Sequence, residues 1–595
     1  MTATLVSPRR WHVLLALLVA AVSVLPAMPA RAATAPFPYT LSVQGGYGSA
    51  EVVVPVPEGT APIRLRGTID SSYSTPGDLV ITVNGRRAAS VPAVGGGPLT
   101  VDLAASDVVD GGITIGLRAA LQPHQDCWQD DQAVATLTDP VLRLDADPPA
   151  PTTIAEFLAA GSPAYVIAVP SQPTPAEQQA GLDAVLALRH LFPDQTSVTL
   201  VTTDDPQPTS PRSRTLVVTE NGTGDNSLAV QDGRLLVSGD AAELPAAAIS
   251  LADPNTGLLD LASVTDLPGT AAYDPVTDTA SFARLGISDL AVSGIGRVAQ
   301  TVPLAQAWFG APVKQLIVDL QATATPVLAG QQGRVNVLWN DELIASQTLT
   351  TDSRVGLRFT VSALQLRNVN DLTLELQYQP AGGDCRTVPL PGKVEVDVDN
   401  STITPTFGAS MGPGFQRFPQ SFGAEIPVAV VGSVTQALPN IASLLAAATA
   451  SSPQQYVVTL ADVADLPDGG VAAGVTAEQA DAFGAPLPSD THEFAAGQSG
   501  DYAALQAFQS GQRDLIVLSD QPAEPAQILA TWPTAAGWST LTGQVYVTSG
   551  GLPEAFETPS TAPDKQTPQL IAAGVTSAVL LMALALWLWR RPKRG

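Results

Sequence analysis

Cysteine and histidine are scarce in this 595-residue chain, which has two cysteines and four histidines. The cysteines, Cys127 and Cys385, are far apart, and no group of cysteines and histidines has the spacing of metal ligands. The sequence therefore predicts no metal site. In an oxidising compartment the two cysteines can form one disulfide, and two free buried thiols are the alternative.

Basic residues are also few, with 29 Lys and Arg against 55 Asp and Glu and a formal net charge of −26. A surface of this sign repels nucleic acid and anionic lipid, which excludes polyanion binding as the role of the body of the protein. Only 14% of residues are charged, whereas glycine and proline number 49 and 51. This composition favours several β-rich domains with many turns.

The sequence motifs of common enzymes are missing as well. No G-x-S-x-G, P-loop or H-E-x-x-H pattern occurs. Paired carboxylates occur at Asp130-Asp131 and Asp204-Asp205, but in an acidic chain such pairs are usually solvated loop residues. His492 lies in a polar stretch typical of a surface. We predict that the chain is not an enzyme, and a secreted glycosidase ranks last among the alternatives.

Two apolar segments predict how the chain is exported and anchored. Residues 1–32 combine arginines, a short apolar run and small residues up to Ala32, which is typical of a cleaved signal peptide. An uncleaved anchor is the alternative. Residues 570–589 carry no charge and can cross about 30 Å of hydrocarbon as a helix. Four cations follow within 590–595, so we expect a cytoplasmic tail and an extracytoplasmic body in the cell membrane.

An internal repeat organises the exported body. Residues 78–91 read DLVITVNGRRAASV and residues 334–347 read RVNVLWNDELIASQ. Each combines two short strands with an Asn-Gly or Asn-Asp turn, which predicts a β-hairpin in each copy. The similarity continues into strands that lead to Asp-Cys, at Cys127 and Cys385. These equivalent positions suggest that a Cys127–Cys385 disulfide joins two neighbouring copies.

Four domains follow from this repeat. Short alternating strands surround each hairpin and predict two β-sandwiches. Continuous apolar strands that alternate with helices, predicted at about 175–192, 435–450 and 502–510, indicate a small parallel α/β sheet after each sandwich. A proline-rich linker precedes the anchor. The predicted boundaries are 40–148 for the first sandwich, 150–265 for the first α/β domain, 285–405 for the second sandwich, 420–552 for the second α/β domain and 553–569 for the linker.

Aromatic residues make up only 5% of the chain, so those near the sandwiches are conspicuous. β-Sandwiches often bind saccharides by stacking sugar rings on exposed aromatic side chains. Tyr47, Tyr73 and Trp128 lie in or beside the first copy, and we name them as carbohydrate-binding candidates with Trp128 first. Trp339 lies in an alternating strand beside a turn, which favours a place in the core.

The domain order resembles that of the bacterial cellulose synthase regulatory subunit, or B subunit. Local similarity lies in the hairpin LVITVNGRRAASVP at 79–92, the strand that leads to a cysteine, and the DPVLRL run at 139–144. The resemblance covers nearly the whole exported body. It implies two jelly-roll, carbohydrate-binding-like β-sandwiches that alternate with two flavodoxin-like α/β domains, followed by one C-terminal transmembrane helix.

The resemblance also implies a function. Such a subunit is non-catalytic, lies against a membrane-embedded processive glycosyltransferase (the cellulose synthase catalytic subunit), and guides nascent cellulose or a related β-glucan outward. The family is associated with cyclic di-GMP, a cytoplasmic molecule. Since only the tail at 590–595 is predicted to be cytoplasmic, we expect no direct binding of cyclic di-GMP and no other cofactor.

The segment before the anchor departs from the pattern of the family. The family usually has an amphipathic helix just before the anchor, whereas 557–569 is rich in proline here. This departure weakens the inference that the anchor alone docks the synthase. The main alternative function is an extracellular carbohydrate-binding surface or adhesion protein without a synthase partner.

Overall fold

The computed structural model describes residues 33–556 with gaps at 37–40, 46–47, 58, 122–132, 147–148, 160–163, 193–196, 205, 207–212, 223, 270–271, 382–389, 409–413, 451, 453, 467–468, 488–501, 512 and 520–521. The predicted signal peptide, the anchor at 570–589 and the tail at 590–595 lie outside the described residues. Within the described part, no helix combines the length and the apolar character needed to cross a bilayer.

The first domain is a β-sandwich of two antiparallel sheets. One sheet has the strand order β3-β8-β5-β6, and the other has β1-β9-β4-β7 with β2 also paired to β9. Alternate residues such as Leu79, Ile81 and Leu117 face the core between the sheets. The strands are β1 (Ala33–Pro36), β2 (Leu41–Gln44), β3 (Ser49–Pro55), β4 (Pro62–Ser71), β5 (Gly77–Val83), β6 (Arg86–Pro92), β7 (Gly97–Asp102), β8 (Gly112–Leu121) and β9 (Val134–Leu144).

The second domain is a six-stranded α/β sheet with the order β11-β10-β12-β14-β13-β15. Strands β10, β11, β12 and β14 are parallel, and β13 and β15 are antiparallel to their neighbours. Its elements are α1 (Ile154–Leu158), β10 (Ala164–Val169), α2 (Pro175–Leu191), β11 (Ser197–Thr202), β12 (Arg214–Glu220), β13 (Ser227–Gln231), β14 (Arg234–Gly239), α3 (Leu244–Ile249) and β15 (Ser263–Thr265).

The third domain is a second β-sandwich. Its four-stranded sheet has the order β18-β23-β20-β21, and its other sheet has β16-β25-β19-β24-β17 with β22 paired to β19. The strands are β16 (Ala280–Ser281), β17 (Ala291–Gly294), β18 (Gly296–Ala305), β19 (Val313–Ala324), β20 (Gln332–Trp339), β21 (Glu342–Thr348), β22 (Arg354–Ser362), β23 (Val369–Gln379), β24 (Gly392–Val396) and β25 (Thr402–Phe407).

The predicted hairpins are present at equivalent places in the two sandwiches. Each pairs a central strand with an edge strand, β5 with β6 and β20 with β21. Both turn residues have positive φ, at Asn84-Gly85 (48° and 74°) and at Asn340-Asp341 (51° and 70°). Asn, Gly and Asp tolerate this conformation, which explains the turn chemistry. Trp339 is 1% exposed, which confirms its predicted place in the core.

The fourth domain is a second α/β sheet, in which β27-β26-β28-β30-β29-β31 repeats the strand order of the first. Strands β26, β27, β28 and β30 are parallel, and β29 runs antiparallel to β30 and β31. Its elements are β26 (Glu425–Val430), α4 (Val434–Ala448), β27 (Val457–Leu460), β28 (Gly470–Val475), α5 (Ala477–Ala482), β29 (Ala503–Ser510), β30 (Arg513–Ser519), α6 (Ala523–Ala536), β31 (Val545–Thr548) and β32 (Glu554–Phe556).

Two sequence expectations for the α/β domains are corrected. The helix predicted at 502–510 is the strand β29, whose first six residues are buried between β30 and β31. Its alanines, leucine and glutamines favour helix, but burial and pairing override that propensity. The sheets are mixed rather than parallel, because β13 and β14 are joined by a tight turn at Asp232-Gly233, which permits only antiparallel pairing. The expected flavodoxin-like topology is therefore not confirmed.

The two α/β domains share one hydrophobic core, whereas each sandwich has its own. Helix α2 packs on edge strand β27 of the other α/β domain, and helix α4 packs on edge strand β11. Because α2 and α4 each follow the first strand of their sheets, the interface is pseudo-symmetric, like that of an isologous dimer. The second sandwich joins this pair through Asn368, whose side-chain amide donates a 2.9 Å hydrogen bond to the carbonyl of Phe418.

Candidate functional site

Of the three aromatic residues predicted to bind carbohydrate, Tyr73 lies in the described part of the structure. Tyr47 and Trp128 lie outside the described residues, as do Cys127 and Cys385, so the disulfide stays a prediction. Tyr73 is described and is 3% exposed. Its ring belongs to the core of the first sandwich, and its hydroxyl donates a 2.7 Å hydrogen bond to the carbonyl of Gly45. Tyr73 therefore offers no open ring face to a sugar, and its choice as a stacking residue was wrong.

In the second sandwich, two polar side chains of the four-stranded sheet face away from the core between the sheets and are nevertheless shielded from water. Glu375 on β23 lies between Leu374 and Leu376, and both leucines belong to the core. Because side chains alternate along a strand, Glu375 faces away from that core. Asn336 on β20 pairs directly with Glu375 and faces the same way. Glu375 is 3% exposed and Asn336 is 7% exposed, so neighbouring side chains shield both from water.

A hydrogen-bonded row links these two residues across all four strands. The Glu375 carboxylate accepts from the guanidinium Nε of Arg297 on β18 and from the amides of Asn336 (2.7 Å) and Gln377 (2.9 Å). The amide oxygen of Asn336 accepts a 2.7 Å hydrogen bond from the hydroxyl of Ser346 on β21. A buried carboxylate is stable only with such partners, so the row holds its planar groups in fixed positions.

Parts of the row keep unused hydrogen-bonding capacity. In the strand register, Gln377 on β23 lies opposite Arg297 on β18 at one side and opposite Arg334 on β20 at the other. Arg334 and Gln377 are exposed, and 38% of the Arg297 side chain is accessible. No described residue uses the guanidinium of Arg334, the terminal amino groups of Arg297 or the amide oxygen of Gln377. The surface can therefore exchange hydrogen bonds with a hydroxyl-rich ligand. We call Arg297, Arg334, Asn336, Glu375 and Gln377 the polar row.

The first sandwich has a different outer surface at the same place. Val80 pairs with Arg118 in the central strands, as Asn336 pairs with Glu375 in the second sandwich. Val80 is 3% exposed, and Arg118 is exposed. An apolar side chain and an unburied cation therefore replace the buried amide and carboxylate.

The first α/β domain offers no open anion site at the N-terminus of α2. The Glu177 carboxylate, on a residue that is 5% exposed, accepts hydrogen bonds from the backbone N–H groups of Thr174 (2.9 Å) and Glu220 (3.0 Å). Glu177 is the third helical residue of a capping box with Thr174, whose hydroxyl accepts a 3.3 Å hydrogen bond from the N–H of Glu177. The carboxylate thus supplies the negative charge that a helix N-terminus favours.

The other chemical candidates have local structural partners or lie outside the described part. Asp204 accepts hydrogen bonds from the N–H and hydroxyl of Ser171, and these bonds lower its pKa. Burial lowers the pKa of His190 on α2. Asp130-Asp131, Asp205, His124 and His492 are not described. No group of three or more His, Cys, Asp or Glu side chains could hold a metal ion in the described residues.

The polar row was not predicted from the sequence, although part of its signal is visible there. In β23 the residues Thr373, Glu375 and Gln377 alternate with leucines and a tyrosine, which marks them as one face of a strand. The sequence does not show that Arg297 and Asn336 lie beside Glu375.

Comparisons with known proteins give no assignment from sequence. No protein-family model matches the chain, and no curated protein matches it. The similar solved structures include a CBM22-1 xylan-binding domain from Paenibacillus barcinonensis Xyn10C, at 12% identity and a TM-score of 0.15 over 24% of this chain and 100% of that chain. The tandem CBM22-1-CBM22-2 domain of the same protein matches at 10% identity and a TM-score of 0.13, over 61% of this chain and 85% of that chain. A CBM36 carbohydrate-binding module in complex with calcium and xylotriose matches at 13% identity and a TM-score of 0.12, over 19% of this chain and 93% of that chain. Similarities this low assign neither a family nor a function.

Proposed function

We propose that the chain is a non-catalytic, membrane-anchored extracytoplasmic subunit of a synthase for cellulose or a related β-glucan. The observation that carries this proposal is the duplicated order of sandwich and α/β domain, with the same strand order in both α/β sheets. That order supports the resemblance to the cellulose synthase B subunit. The catalytic glycosyltransferase forms the polymer, and this chain supports it and guides export.

In this proposal the polymer meets the sandwiches, and the α/β pair is the rigid support between them. The shared core of the two α/β domains supports that division of roles, because a continuous apolar core resists relative motion. Cyclic di-GMP is not a ligand of this chain in the proposal. The Glu177 carboxylate at the N-terminus of α2 supports this for the first α/β domain, since it would repel a phosphate.

The test is affinity purification of the tagged full-length chain from its native membrane in mild detergent. We expect a processive glycosyltransferase to co-purify and to incorporate UDP-glucose into polymer. A matched variant replaces 570–589 by an unrelated transmembrane helix of equal length. If the glycosyltransferase no longer co-purifies with that variant, the anchor at 570–589 is the segment that docks it. If it still co-purifies, the extracytoplasmic body docks it.

Purification of the chain without any glycosyltransferase would contradict the synthase role. The alternative function is then an extracellular carbohydrate-binding or adhesion protein, which the polar row also supports. In that case the full-length chain should bind purified polysaccharide while it purifies alone.

A further inference from the structure

The two sandwiches share one topology but differ on the outer surface of their four-stranded sheets. In the second sandwich a shielded carboxylate and amide, Glu375 and Asn336, are linked to Arg297 across the strands. In the first sandwich the equivalent pair is Arg118 and Val80, which cannot form such a row. A difference at the same register position in two copies indicates different roles for the two surfaces.

The polar row is preorganised. Mutual hydrogen bonds hold the Glu375 carboxylate, the amides of Asn336 and Gln377 and the Arg297 guanidinium before any ligand arrives. The guanidinium of Arg334 lies beside this fixed group and is not part of its hydrogen bonding. A ligand that meets fixed partners loses less binding free energy to the ordering of side chains. With strands about 4.8 Å apart, the four strands form a surface about 14 Å wide, enough for a short run of sugar rings.

The charges on this surface point to an uncharged ligand. On the outer surface of the four strands Arg297 is ion-paired with Glu375, and the charge of Arg334 is offset by that of Asp371, so the charges balance. The rest of the chain has a large negative excess, with a net charge of −26, which opposes the approach of an anionic polymer.

The surface also lacks a stacking platform. The aromatic residues on its four strands, Trp339 and Tyr378, are both buried in the core. A ligand on the described part of this surface must therefore be recognised by hydrogen bonds to its hydroxyl groups.

We propose that the outer surface of the second sandwich, and not that of the first, binds an uncharged polysaccharide strand through the polar row. The proposal deepens the function proposed above, on which the choice of a polysaccharide rests. Arg334 and Gln377 contact the sugar hydroxyls, whereas Glu375 and Asn336 position the groups around them.

The experiment measures binding of soluble mixed-linkage β-glucan to the full-length chain in detergent, with carboxymethylcellulose as an anionic probe. The test variant is Arg334→Ala/Gln377→Ala, which changes two exposed side chains. We expect affinity for the β-glucan to fall at least tenfold, since two hydrogen-bonding groups are lost. The matched control, Arg118→Ala/Ser90→Ala on the first sandwich, should change affinity less than twofold.

A second variant separates binding from folding. Asn336→Val introduces the residue type that the first sandwich has at this position, and it should weaken binding while the sandwich stays folded by circular dichroism. The proposal is overturned if the unmodified chain binds no β-glucan, if it binds carboxymethylcellulose more tightly, or if the control loses as much affinity as the test variant. Co-purification of the glycosyltransferase is measured on the same proteins. It should be unchanged in Arg334→Ala/Gln377→Ala, so failure of this inference is distinct from failure of the synthase role.

Discussion

Asp183 on α2 is 1% exposed and lies in the interface between the two α/β domains. Its Oδ1 accepts a 2.7 Å hydrogen bond from the backbone N–H of Val458 on β27. Burial raises the pKa of Asp183 well above its ordinary value, against the lowering effect of the hydrogen bonds from Val458 and the Gln179 side chain. Neither α4 nor β27 contains a charged residue that could compensate.

The Asp183→Asn variant should be more stable than the unmodified chain, by an amount that grows with pH. Below the unfolded pKa of about 3.9, Asp183 is neutral in both the folded and the unfolded state, so Asp183→Asn and the unmodified chain should be equally stable. As pH rises towards the folded pKa, the unfolded chain releases the proton while the folded chain retains it, and stability falls. The difference is about 1.4 kcal/mol for each pH unit between the two pKa values.

Urea unfolding of both proteins at pH 4 and pH 8 measures this effect, with Asp260→Asn as the control at an exposed carboxylate. An advantage of Asp183→Asn that is the same at both pH values would contradict the linkage.

Single residues show how far the candidate site could be predicted. Alternation in β23 predicts which side of the strand Glu375 occupies, because the period of two is local. Its burial depends on Arg297 and Asn336, which come from distant strands, and sequence alone does not bring them together. The same reason explains the error at Tyr73, since a turn near tyrosine is compatible with either a buried or an exposed ring.

At the scale of elements, one asparagine organises each repeated hairpin. Asn340 accepts a 2.9 Å hydrogen bond at Oδ1 from the N–H of Asp371 and donates a 2.7 Å hydrogen bond from Nδ2 to the carbonyl of Gln365. Asn84 makes the equivalent bonds with Thr114 (2.9 Å) and Asp107 (2.7 Å). The turn thus ties the hairpin to the neighbouring strand and to the loop beyond it.

Asn340→Ala should destabilise the second sandwich by about 2–3 kcal/mol. About 1 kcal/mol comes from positive φ at alanine, and the rest comes from the three lost hydrogen bonds of the Asn340 amide, the third of which runs from Nδ2 to Oδ1 of Asn370 (3.1 Å). Asn340→Gly keeps the turn conformation and should lose only the hydrogen-bond share. Asp341→Gly at the next position, where φ is 70°, should be neutral or stabilising. Hydrogen exchange in β20 and β21 measures these effects. Equal losses of stability in Asn340→Ala and Asn340→Gly would show that positive φ at alanine costs nothing.

Helices, strands and turns were predicted well where the sequence signal is local, and poorly where pairing with distant strands determines the structure. The turns of both hairpins and the helices α2 and α4 follow from turn chemistry and helical pattern. Strand β29 was predicted as helix, because its alanines and glutamines show the helical preference and hide the antiparallel pairing with β30 and β31. A tight turn at Gly511 (φ 67°) is the local sign of that hairpin.

At the scale of the whole molecule, the sandwich repeat was visible as sequence similarity, whereas the two α/β domains were predicted by class alone and their common strand order was not. The hairpins conserve a turn and its flanking strands, whereas the α/β domains share strand order, which composition does not encode. The same limit applies to the interface in which α2 packs on β27 and α4 packs on β11. Its pseudo-symmetry makes the α/β pair one structural unit with a shared core.

The two α/β domains should therefore lose structure together when their interface is broken. Asp183→Lys places a cation without a partner against α4 and β27, and burial of an unpaired charge is strongly unfavourable. We expect hydrogen exchange of the full-length chain to become faster in β12 of the first α/β domain and in β28 of the second. Strands β5 and β8 of the first sandwich should keep their protection, because that domain has a separate core. Asp260→Lys, at an exposed site, is the matched control and should change none of these strands. Faster exchange confined to the first α/β domain would show that the shared core does not couple the pair.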